Sequence, residues 1–68
     1  MKSFNWMIVS SKGNYVVTHL FETEDQREDT LRSLLKFAEE QGRLYPDTPP
    51  YVIQTFARRS ESDGWVFG

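Results

Sequence analysis

Few side chains in this sequence can do chemistry, and their spacing limits what each can do. The single histidine, His19, alternates with Val17 and Phe21. It therefore reads as a partly buried strand histidine with a satisfied hydrogen bond, not as a general base. A metal would need carboxylates beside it, and none recurs at ligand spacing, so no metal site is expected. Ser10-Ser11-Lys12-Gly13-Asn14 lacks the flanking glycines of a phosphate-binding loop and suits a hairpin turn. No serine sits in a nucleophile elbow. The inventory predicts no catalytic residue and no cofactor, hence a non-enzymatic protein.

Two charged groups remain. Glu22, Glu24, Asp25, Glu28 and Asp29 are closely spaced carboxylates, but at a helix start they complement the helix dipole rather than form an acid/base pair. Glu24, Asp25, Glu28 and Asp29 would instead steer encounter with a basic partner surface. Arg58 and Arg59, with Arg43, Tyr45 and Tyr51, offer planar cations and aromatic faces for a nucleotide or other phosphorylated ligand. Arginines that end an edge strand also guard it against unwanted pairing. Pro46-Asp47-Thr48-Pro49 fits the minimal PxxP pattern, yet its simpler role is to stop a helix and cross to the next strand.

The elements that must position these groups follow from patterning. Phe4 to Ser10 and Tyr15 to Phe21 are rich in β-branched and aromatic residues, and the segment between them tolerates positive φ, predicting a hairpin turning at Lys12-Gly13 or Gly13-Asn14. One hairpin face carries Phe4, Trp6, Ile8, Tyr15, Val17, His19 and Phe21. The other carries Asn5, Met7, Val9, Val16, Thr18 and Leu20. Thr23-Glu24-Asp25-Gln26 is a capping box, and Leu31, Leu34, Leu35 and Ala38 repeat at helical spacing. The helix is predicted over Glu24 to Gln41, ended by Gly42, with Glu28–Arg32 and Lys36–Glu40 spaced for ion pairs. A third strand over Tyr51 to Arg58, a turn, and a short fourth strand at Trp65-Val66-Phe67 complete the order ββαββ. The fold class is α+β, a two-layer single domain over residues 1–68 with a four-stranded antiparallel sheet and one helix on one face.

Composition narrows the function classes. The chain has 68 residues, 38% hydrophobic and 15% aromatic, with no cysteine and a net charge of −2. That charge does not supply the basic field of sequence-independent nucleic-acid binding. The longest apolar run is four residues, Trp6-Met7-Ile8-Val9, too short to cross a bilayer, and no signal-peptide pattern precedes it. A cytoplasmic location is expected. A domain of this size buries only roughly 60% of the surface its unfolded chain exposes, and without disulfides a partner is the leading source of further stability.

One helix shelters one sheet face, whereas the strands carry bulky apolar residues on both parities. Met7, Val9, Val16, Leu20 and Phe56 are therefore predicted to form an interface, with Val52 and Phe56, or else Tyr51 and Ile53, coming from the third strand. The expected function is that of a small interaction or inhibitory accessory protein, of the kind bacteria and phages use. It would act as a homo-oligomer, commonly a C2 dimer formed sheet-to-sheet or edge-to-edge, on a protein partner. The alternative is a small-molecule binder using Arg and aromatic residues.

Overall fold

The computed structural model describes residues 2–68. It contains β1 (Trp6–Lys12), β2 (Tyr15–Phe21), α1 (Glu24–Leu44), β3 (Tyr51–Ala57) and β4 (Val66–Phe67). The strands form one four-stranded sheet in the order β2-β1-β3-β4, every neighbouring pair antiparallel. The chain thus makes a hairpin, crosses over α1, and returns beside β1, the two-layer ββαββ arrangement expected from the patterning.

The hairpin turns at Gly13-Asn14, where Gly13 takes φ +58° and Lys12 stands opposite Tyr15. Glycine first in a two-residue loop is the type II′ signature, whose twist matches that of the flanking strands. This turn slides β1 two residues toward the C-terminus of the predicted Phe4–Ser10 span, so β1 includes Ser11 and Lys12. Pro49 lies 3.7 Å from where a Gly13 side chain would start, so the connector crosses directly above the turn.

The capping box forms as expected. The Thr23 hydroxyl accepts from the Gln26 backbone N–H at 3.2 Å, and Gln26 Oε1 accepts from the Thr23 N–H at 3.3 Å. The far end differs from expectation: α1 continues through Gly42 to Leu44, and Gly13 is the only positive-φ glycine among the described residues. The helix stops because Pro46 pushes Tyr45 out of helical geometry. The Tyr45 N–H still closes on the Gln41 carbonyl at 2.9 Å. Thr48 then caps the Tyr45 carbonyl with its hydroxyl at 2.8 Å and accepts from Lys12 Nζ at 3.1 Å, tying the connector to the hairpin.

Ile8 is the one fully buried large side chain among the described residues, 0% exposed, under the helix at the centre of the sheet. The less exposed positions along the helix include Arg27, Leu31, Leu34, Ala38 and Gln41, spaced four, three, four and three; Leu35 is half-exposed. Two ion-pair expectations are corrected. Arg32 pairs with Asp29, and Glu28 turns to Arg27 instead of Arg32. Lys36–Glu40 is not among the ion pairs of the described residues.

Candidate interaction surface

Alternation sends neighbouring residues of each strand to opposite sides. Trp6 stacks beneath the Arg27 guanidinium at 5.0 Å, and Tyr51 meets Phe37 of α1 edge-on at 5.7 Å. The helix therefore covers the face with Trp6, Ile8, Ser10, Val17, His19, Ile53 and Thr55. The other face is built by register: Met7 pairs with Leu20 and Phe56, Ser11 with Val16 and Val52, Val9 with Thr18 and Gln54, and Phe56 with Phe67. All five predicted interface residues, Met7, Val9, Val16, Leu20 and Phe56, lie on this single uncovered face. Of the two options for β3, the register selects Val52 and Phe56. Val16 is 63% exposed and Phe67 74%, Leu20 and Val52 about half. Phe56 and Phe67 stack at 4.8 Å, and Met7, Val9 and Phe56 are half-buried only by their own neighbours.

The charged groups are placed elsewhere. Glu24 and Asp25 are exposed at the start of α1, in the helix layer, on the far side of the sheet from the apolar face. Glu28 and Asp29 are already paired, with Arg27 and Arg32, which weakens the field they project.

The five residues predicted to hold an anion divide between the two ends of β3. Arg43, Tyr45 and Tyr51 stand at its start, whereas Arg58 and Arg59 follow its last residue, seven and eight positions after Tyr51 on an extended strand, roughly 20 Å away. They do not share one pocket. At the far end, the Arg58 guanidinium lies 4.2 Å above the Trp65 ring and donates to the Phe4 carbonyl at 2.8 Å. Arg59 is exposed and pairs loosely with Asp63 at 3.6 Å. Arg58, Arg59 and Asp63 line an open groove of about 620 Å³ with Asn5, Trp6 and Val66. Asn5 Oδ1 and Arg58 Nε are buried, with no hydrogen-bond partner among the described residues. His19 is half-buried and stacks on Phe21 at 6.4 Å.

Arg27 is the residue that sequence reasoning missed. It is 5% exposed, and its Nη1 donates to the carbonyls of Phe56 (3.1 Å) and Gly68 (2.7 Å), while Nη2 donates to Glu28 Oε1 at 2.7 Å. One guanidinium thus fastens α1 to β3 and to the end of β4. The available signal was its place four residues before Leu31, at the head of the helix stripe.

Among the described residues no group of three or more His, Cys, Asp or Glu could hold a metal ion, and no helix is long and apolar enough to cross a membrane. Compared with protein-family models, curated proteins and solved structures, the chain matches none.

Proposed function

We propose that this protein is a non-enzymatic interaction protein, a homo-oligomer that binds and blocks a protein partner through the sheet face its helix leaves open. The observation that supports this reading is the open face on which Leu20, Met7, Phe56 and Phe67 form one apolar row, with Val9, Val16 and Val52 set among Ser11, Thr18 and Gln54, and with no helix or strand among the described residues packed across it. Exposed patches of this kind mark protein interfaces. Glu24 and Asp25 contribute through the long-range field of the whole molecule, favouring a partner with a basic surface.

The test is site-specific photocrosslinking in cells. A benzophenone side chain replaces Gln54, an exposed residue on the open face, or Glu39, exposed on the helix. A discrete adduct with another polypeptide from position 54 and none from position 39 supports the reading. Equal or absent adducts at both positions defeat it.

A second reading, capture of a phosphorylated small molecule, draws on the groove lined by Arg58 and the exposed Arg59. A true ligand raises the melting temperature by linkage, and neutralising Arg58 and Arg59 erases that rise.

A further inference from the structure

The two edges of the sheet are unequal. β4 is two residues long and held by the Arg27 clamp, whereas β2 exposes seven residues, Tyr15 to Phe21, with no proline and no Asp, Glu, Lys or Arg among them. Long uncharged edges template pairing with another strand, and natural edges usually carry a guard. This one has none.

The direction of its free backbone groups follows from the ladder. The Arg58 N–H donates to the Asn5 carbonyl at 3.0 Å, so odd-numbered β1 residues bond toward β3 and even-numbered ones toward β2. Their β2 partners, Tyr15, Val17, His19 and Phe21, are spent inward. Val16, Thr18 and Leu20 therefore aim both N–H and C=O at open solvent.

Two of the three mirrored pairs of this strand match in residue type. About Thr18, Val17 mirrors His19, Val16 mirrors Leu20, both aliphatic, and Tyr15 mirrors Phe21, both aromatic. Turned end for end, the strand sets aliphatic Val16 against Leu20 and aromatic Tyr15 against Phe21, and opposes no two charges, which suits an isologous two-fold contact. A register centred on Thr18 uses all seven residues and every free backbone group; a shift to Val16 or Leu20 leaves part of the strand unpaired.

We propose that two copies of this chain join β2 to β2 antiparallel about Thr18, fusing two four-stranded sheets into one of eight strands. Val16 stands opposite Leu20 of the second copy and Thr18 opposite itself, closed by about six N–H···O bonds. On the helix side Tyr15, 77% exposed in the single chain, meets Phe21 of the second copy. The proposal rests on the homo-oligomer half of the reading above and moves the self-contact from the sheet face to the strand edge, leaving two coplanar faces for the partner. The edge buries on the order of 800 Å² in total, short of the roughly 1,200 Å² of a standard stable interface, so the dimer separates on dilution into the micromolar range.

The chain has no cysteine, so single substitutions read the register directly. Opposed Cα atoms in a hydrogen-bonded antiparallel pair lie about 5.5 Å apart, within disulfide reach. Under oxidised glutathione, Thr18→Cys is expected to form a disulfide dimer. Val16→Cys or Leu20→Cys alone should link at least tenfold more slowly, while a mixture of those two variants links quickly. Thr18→Pro removes an outward donor and leaves the β1 ladder intact, so it should keep the far-ultraviolet spectrum and lose the dimer seen by sedimentation equilibrium. A wild-type mass of 8.0 kDa up to millimolar concentration overturns both this proposal and the homo-oligomer reading. A dimer in which Thr18→Cys links no faster than Val16→Cys overturns this proposal alone.

Discussion

Ile8 and Val9 are consecutive aliphatic residues on one strand, yet one is sealed and the other faces outward. The two faces of the sheet are not sorted by polarity. The covered face includes Ser10 and takes the Arg27 guanidinium, while the open one carries valine, leucine, methionine and phenylalanine beside only Ser11, Thr18 and Gln54 on its strands. What separates them is the supply of covering elements: one helix for four strands. Apolar alternation in a small sheet therefore records which residues need a cover, and the count of helices says how many receive one from the same chain.

The comparison is sharpest where substitutions on the two faces are ranked by chemical denaturation. Ile8→Ala empties the centre of the covered face and should cost about 3 kcal/mol, within the range for buried aliphatic truncations and a large part of such a small domain's stability. Arg27→Met removes the guanidinium from above Trp6 and from the Phe56 and Gly68 carbonyls, of which Phe56 keeps its ladder bond to Met7 and Gly68 loses its clamp. We expect a loss of about 2 kcal/mol, with faster amide exchange in β4 than elsewhere in the sheet. Thr23→Ala removes the cap that starts the covering helix, for about 1 kcal/mol. Val52→Thr, on the open face, should change stability by no more than about 0.5 kcal/mol in dilute protein. A loss above about 1.5 kcal/mol there would mean that the open face is covered after all, and the contrast between the faces would collapse.

The element order, the capping box and the full extent of β2 were legible because each rests on local chemistry: a threonine and glutamine three apart, or seven residues of strand-forming type between a glycine turn and an acidic stop. The bounds of β1 were not, because register there is set by the turn geometry at Gly13-Asn14, which Lys12-Gly13 matched equally well in sequence. Gly42 misled for a related reason. Glycine permits a left-handed helix end without requiring one, and Pro46 is the residue that cannot be passed. The parity of the candidate interface was readable from alternation, but which parity the helix covers was not, since that depends on the crossover. Arg27 was invisible because a charged residue on a helix is ordinarily solvated. Its burial follows from two main-chain carbonyls brought together only in the folded sheet.

Helix α1, 21 residues and roughly 31 Å long, outreaches strands of roughly 23 Å, and the molecule measures 43 × 22 × 17 Å. Its last turn and Tyr45 project beyond the β-layer, with Leu44 and Tyr45 well exposed. A rod of these proportions tumbles unevenly and leaves a gel-filtration column ahead of a sphere of equal mass. A single copy thus counterfeits a heavier particle, and only a shape-independent weighing tells the two apart.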